Sequence, residues 1–255
     1  MEEDVKQRLC DLFDDMLTKI GEFKRKTYSG VFEEAYEVHK SLPEEIARLC
    51  EEAEEERREE LVEELALVLP NYGLEKIGDR PKKEKEKFYV DFNLNMAVYV
   101  VPILNYSGNE WCEKLTKRMV ELWNEKGVSK LTLSHSTYEN IKSGFKSRLC
   151  YITTAVCEHM DKPDNCYELT TLRDYRDHYL MQSEEGRGIV EDYYEIAPGI
   201  VMMINMRKDA DRIYSDIYQS YLTPCIKMIE DGENEACQNL YMDMVHHLQR
   251  KYLYS

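Results

Sequence analysis

Glycine and proline are scarce in this sequence, 11 and 7 among 255 residues, below the usual combined share of about 12%. That scarcity excludes collagen-like, mucin-like and loop-rich chains. Long hydrophobic runs are also lacking. The longest, 96–104, contains Pro102 and falls far short of the roughly 20 apolar residues a membrane helix needs. Basic charge is in deficit, with Lys plus Arg at 34 against Asp plus Glu at 50, a formal net charge of -16. Such a chain repels phosphate backbones and anionic lipid unless a local basic patch compensates. The sequence shows no such patch, so neither nucleic acid nor a membrane surface is expected as a partner.

The familiar chemical signatures are missing too. There is no glycine-rich phosphate loop, no His-Glu-x-x-His, no Gly-x-Ser-x-Gly and no paired Cys-x-x-Cys, which removes the commonest nucleotide, metalloprotease and hydrolase readings. No internal repeat or sustained heptad stands out. The opening Met1-Glu2-Glu3-Asp4 has neither the basic nor the apolar stretch of a secretory signal. A cytoplasmic chain is therefore expected, with its eight cysteines (10, 50, 112, 150, 157, 166, 225 and 237) as reduced free thiols.

What is present points to helices. Apolar residues make up 43% and charged residues 33% of the chain, enough for a core surrounded by polar helix faces. Val5, Leu9, Leu12, Phe13, Met16, Leu17 and Ile20 recur at helical spacing, with Gly21 as a stop. A second helix is expected over about 31–40. Ser41-Leu42-Pro43-Glu44 reads as a capping box opening a third, in which Ile46, Leu49, Cys50, Ala53, Leu61, Leu65 and Val68 face inward. Residues 1–66 hold 10 basic and 21 acidic groups, so most of the negative charge lies there. The run 51–64 reads as a solvated helix face rather than an acidic tail, because the apolar stripe continues through it.

Pro70, Gly73, Gly78 and Pro81, followed by a Lys/Glu alternation, suggest a linker. This gives an acidic helical region over 1–70, a linker over 71–87 and a helical domain over 88–255, with one continuous domain as the alternative. The segment 88–104 could be strand or helix. Asn93 as a cap and the helical partner formed by Trp111, Leu115, Met119, Leu122 and Trp123 favour helix. Ser136-Thr137-Tyr138-Glu139 is a second capping box, and Lys130 to Leu133 could be briefly extended. Beyond Cys150 the pattern is helical almost throughout, with Pro224 kinking one helix and Gly232 ending it. The fold class expected is mainly α, a helical bundle of antiparallel hairpins with little or no β.

Chemistry concentrates in 150–198. At 100° per residue Cys150, Thr153, Thr154 and Cys157 share one small, lightly polar face, opposite Ile152, Ala155 and Val156. In a first helical turn, with Lys146 and Arg148 just upstream, Cys150 would have its thiol pKa lowered. Ordinary packing explains a Cys/Thr face equally simply. On the next helix, which Asn165 and Glu168 would cap, Arg176 projects among Leu169, Leu172 and Leu180, with Arg173 close by. An inward guanidinium needs a carboxylate or an anionic ligand. Asp174, Asp177, Glu191, Asp192 and Glu195 could supply an ion-pair network, and a small anionic ligand is the alternative. Cys157, His159 and Cys166 bracket the intervening turn but match no standard zinc spacing, so neither metal nor cofactor is expected.

Cys150-Tyr151-Ile152-Thr153-Thr154-Ala155, then Leu172-Arg173-Asp174-Tyr175-Arg176-Asp177 with Leu180, then Tyr193-Tyr194 and Ala197-Pro198, resemble the bacterial CFI-box C-terminal domain family. That family's pattern is Cys-Phe-Ile-Ala-Thr-Ala, Leu-Arg-x-Phe-Arg-Asp and Tyr-Tyr-x-x-Ser-Pro. The likeness covers about 150–205. Tyr151 stands where Phe is usual, Thr153 where Ala is, and Val156-Cys157 replaces a small-aromatic-Gly continuation. The resemblance implies that Cys150, Arg173, Arg176 and Asp177 belong to one recurring unit, and names no substrate. Two readings follow. The first is a helical interaction or regulatory protein whose acidic N-terminal region meets a protein partner. The second is a thiol-dependent enzyme with Cys150 as nucleophile, Arg173 or Arg176 on an anionic group, and Thr153, Thr154 and Cys157 toward the ligand; no His has a spacing that assigns it to Cys150 as base. A Cys/His metal module is a third.

Overall fold

The structure, a computed structural model, describes residues 2–78, 80–146 and 151–253. Among the described residues every regular element is helical, as the sequence led us to expect. The chain forms two compact units. The first comprises residues up to Phe23 together with Thr27–Gly144; the second comprises Lys24–Lys26 and the chain from Phe145 onward.

The first unit contains α1 (Glu2–Leu17), α2 (Tyr28–His39), α3 (Ser41–Glu52), α4 (Glu55–Ile77), α5 (Lys82–Asn95), α6 (Val101–Asn105), α7 (Glu110–Glu125) and most of α8 (Tyr138–Lys146). Val5, Leu9, Leu12, Phe13 and Met16 of α1 are all buried, so the stripe read from the sequence is its inner face. α4 lies along α7 and against α1. Phe13 meets Phe92 edge to face with centroids 5.1 Å apart, and Trp123 donates to Asn93 Oδ1 at 2.8 Å. Asn93 is thus a buried bonding residue inside α5, not the helix cap expected, and its Oδ1 also accepts from Ser129 Oγ at 2.7 Å.

The stretch 71–87, expected as a linker, is mostly helix, because α4 runs on through Pro70 to Ile77 and α5 starts at Lys82. Its glycine has a packing role. A Cβ on Gly73 would lie 2.9 Å from Val128 Cγ1 and 3.1 Å from the Trp123 ring, so the missing side chain lets α4 approach α7 closely. The Ser41 capping box does not form. Lys40 keeps helical backbone angles between α2 and α3, and the Ser41 hydroxyl instead accepts from Arg8 at 2.7 Å. The second box shifts by one residue, since Thr137 Oγ1 accepts from Asn140 N at 3.3 Å. The loop 130–133 forms no strand; Asn124 pins it through two 2.8 Å bonds to the Leu133 backbone.

α5 and α6 are joined by a widened π-helical segment, Met96–Val100, immediately before Val101 and Pro102. Proline cannot donate to a preceding carbonyl, and its ring crowds the turn before it. In an α register the missing donor would have served Val98, and in a π register Ala97. Tyr28 Oη donates to the Val98 carbonyl at 2.9 Å, and Ser136 Oγ donates to that of Ala97. The buried break is therefore capped by two hydroxyls from elsewhere in the unit.

The second unit holds α9 (Tyr151–His159), α10 (Tyr167–His178), α11 (Glu184–Asn205), α12 (Ala210–Ile217), α13 (Thr223–Glu230) and α14 (Asn234–Tyr252). A second π segment, Tyr218–Leu222, precedes Thr223 and Pro224 and links α12 to α13. α9 packs against α10, α11 and α12, and α11 against α14. Ser183 caps α11 by accepting from Gly186 N at 2.9 Å. α10 has Cys166 as its cap residue, with no side-chain cap bond, so the expected capping pair of Asn165 and Glu168 is not used. Glu168 instead bonds to Lys162.

Candidate functional site

The three sequence elements singled out in the C-terminal half converge in space. Ile152 N, in the first turn of α9, donates to Tyr193 Oη at 2.8 Å, which satisfies an amide that the helix itself leaves unpaired. Arg176 Nη1 donates to Tyr194 Oη at 2.8 Å. Tyr151 meets Tyr194 edge to face at 5.9 Å. The adjacent tyrosines of α11 thereby bind α9 on one side and α10 on the other. Cys150 lies outside the described residues.

Arg176 is inward, as its helical position requires, and its side chain is only 17% exposed. Its Nε and Nη2 bond both carboxylate oxygens of Asp177 at 2.7 and 2.9 Å, the bidentate arrangement that guanidinium geometry favours. The guanidinium holds the Asp177 carboxyl below its ordinary range. Arg173 turns the other way, to the carboxylate of Asp164 at 2.6 Å and to its carbonyl at 2.8 Å, and so ties α10 to the preceding turn. Of the acids expected around Arg176, Glu195 pairs with Lys26 of the same unit at 3.5 Å. Asp164 escaped the sequence reading because it precedes the helix and shares no helical face with Arg173.

Beside Arg176 lies a crevice of about 30 Å³, lined otherwise by Leu172, Tyr175, Leu180, Ile189, Val190, Tyr193 and Tyr241. That volume suits a water molecule or two, and its walls are nearly all apolar. Thr153, Thr154 and Cys157 are all buried within α9, where the small face serves close helix packing. Burial and the neighbouring Cys166 thiol push the Cys157 thiol up to about 12, which disfavours a thiolate near neutral pH.

Cys157 and Cys166 do come together across the turn, but His159 does not join them. Its Nδ1 lies 3.1 Å from the Ala155 carbonyl, its Nε2 lies 3.5 Å from Asp211, and its ring packs on Tyr214 at 4.2 Å. Among the described residues no group of three or more His, Cys, Asp or Glu side chains is placed to hold a metal ion. Lys162, Glu168 and Tyr218 form a compact polar cluster at the same turn. Tyr218 donates to Glu168 Oε1 at 2.9 Å, and Lys162 bonds the same oxygen. The carboxyl is held down at about 2: burial works to raise it, and these hydrogen bonds, with those from a backbone amide and Cys166, overcome that. No local pattern signals this cluster, because its members are spread over 162–218.

In the first unit, Glu52, Glu54, Glu55, Glu56, Glu59 and Glu60 are exposed around the α3–α4 junction. Arg57 binds Glu64 at 2.7 Å and Glu2 at 3.1 Å, while Arg58 is directed to backbone carbonyls. The acidic run is a solvated face on helices with apolar undersides. No helix is long and apolar enough to cross a membrane among the described residues. No family model matches the chain, and neither a curated protein nor a solved structure matches it.

Proposed function

We propose that this chain is a non-enzymatic interaction or regulatory protein that acts in the cytoplasm. In this reading the Arg173 and Arg176 segment, with Tyr193 and Tyr194, is the internal frame of a C-terminal unit of the CFI-box kind. The acidic face of the N-terminal unit meets a protein partner carrying a basic surface. The observation that carries the reading is the commitment of Arg176 to Asp177 and Tyr194 beside a crevice of about 30 Å³. A substrate-binding guanidinium needs room for a substrate, and small-molecule sites usually occupy about 300–1,000 Å³.

Charge reversal at Glu54, Glu55 and Glu56, compared with Cys150→Ser, tests it. The reversal is expected to abolish the chain's activity in the cell while Cys150→Ser leaves it intact. The opposite pattern, together with faster iodoacetamide labelling of Cys150 than of the other thiols at neutral pH, would show a thiol-dependent enzyme instead.

A further inference from the structure

A second concavity of the second unit, larger than the crevice beside Arg176, lies away from it. A groove of about 380 Å³ opens between α12 with its following π segment and the end of α14, a volume within the range of small-molecule sites. Its lining combines two chemistries. Ile213, Ile217 and Leu248 are buried and form an apolar base. Around them stand Arg207, Arg212 and Lys251, three cations against the two carboxylates Asp209 and Asp216. In a chain of net charge -16, this local excess is unusual.

Asp209 organises one wall. It takes Arg207 Nε on Oδ1 at 3.0 Å and Arg212 Nη2 on Oδ2 at 3.0 Å, so a single carboxylate holds two guanidiniums side by side. Each guanidinium has five N–H donors and uses one of them here. Lys251 belongs to the opposite wall and makes no ion pair among the described residues; its ammonium lies 5.3 Å from the Tyr252 ring. Tyr252, only 4% exposed, completes the lining beside Lys251 and Leu248.

We propose that this groove binds a small molecule with an apolar body and one anionic head, of the class of medium-chain carboxylates. The head sits among Arg207, Arg212 and Lys251, and the body lies on the isoleucine and leucine base. A polyanion suits it less well, because Asp209 and Asp216 stand in the same lining. The site is separate from the acidic surface proposed to meet a protein, and either can fail without the other.

Calorimetric titration of the full chain with octanoate tests this, with octanol and octylamine as controls. Octanoate is expected to bind one to one. Octanol should bind about tenfold more weakly, as loss of the head group's ionic contacts implies, and octylamine should not bind. Arg207→Gln with Arg212→Gln should weaken octanoate about tenfold, and Lys251→Gln severalfold, while Lys208→Gln, outside the lining, leaves the affinity unchanged. Lys251→Gln breaks no ion pair, so it stays informative if the double variant folds poorly. Absence of octanoate binding, equal affinity for octanol, or unchanged affinity in Lys251→Gln would each overturn the proposal.

Discussion

The hydroxyl of Tyr28 donates to the carbonyl of Val98 at 2.9 Å, in the buried interior of the first unit. That carbonyl lies four residues before Pro102, where an α-helix would have supplied an amide. Tyr28→Phe keeps the ring and its contacts with Phe23, Phe32, Tyr99 and Tyr138 but leaves the carbonyl without this donor. The expected cost is about 1–3 kcal/mol, read as a lower urea midpoint with unchanged slope. In a Pro102→Ala background an amide is available again, so the cost of Tyr28→Phe should fall by about 1 kcal/mol in a double-mutant cycle. Equal costs in both backgrounds would show that the hydroxyl does not compensate for the proline.

Two nearby glycines of α11 should respond oppositely to alanine. A Cβ on Gly186 would lie 2.0 Å from the Leu180 carbonyl oxygen, a backbone atom that cannot swing aside. Gly186→Ala must displace the turn 180–182 or the helix, and a loss of at least about 1–3 kcal/mol is expected. Gly188 has open space around its Cβ position and lies within the helix. Gly188→Ala should stabilise by about 0.5–1 kcal/mol through helix propensity and a less flexible unfolded chain. Thermal unfolding of the two variants beside the parent decides both.

These two glycines look alike in the sequence, and the difference shows where sequence reading reaches its limit. Periodicity exposed the inner faces of α1, α7 and α10 because a core forces apolar residues to recur every three or four positions. It placed Arg176 inward for the same reason. It could not find Asp164 for Arg173, Tyr194 for Arg176 or Tyr28 for Val98, since these partners are chosen by tertiary approach. Tertiary approach likewise makes 71–87 mostly helical, where its glycines and proline suggest a linker. Gly73 and Pro70 signal breaks locally, yet the fit of Gly73 against Trp123 and Val128 overrides that signal. Asn93 likewise carries a cap's chemistry, but Trp123 and Ser129 recruit it inside a helix.

The Glu168 cluster sets an acid limit for the second unit. Burial works to raise the Glu168 carboxyl, and hydrogen bonds from Lys162, a backbone amide, Tyr218 and Cys166 together outweigh it and hold the folded group at about 2, below its ordinary value of 4.5. A depressed folded pKa contributes stability that is complete above the unfolded value and is lost as pH falls toward the folded one. Stability from Glu168 should therefore be constant near neutrality and disappear between about pH 4.5 and pH 2. Urea unfolding of the parent and of Glu168→Gln, followed across that window, should show a gap at pH 6 that closes by pH 2. A gap independent of pH would mean that the carboxylate's charge is immaterial.

The frame around Arg176 can be separated from any chemistry by comparing three substitutions. Arg176→Lys keeps the charge but loses the planar fork that bonds both Asp177 oxygens and Tyr194 at once. A destabilisation of about 1–3 kcal/mol is expected. Tyr194→Phe removes one bond of the set and should cost about 1 kcal/mol. Tyr193→Phe removes the acceptor for Ile152 N in the first turn of α9 and should loosen that end of the helix, measurable as faster amide exchange at 152. If these residues form a structural frame, each loss of activity in the cell will follow the loss of folded protein in that variant. Activity lost from Arg176→Lys while the folded fraction stays at the parent level would instead place the guanidinium in contact with a ligand.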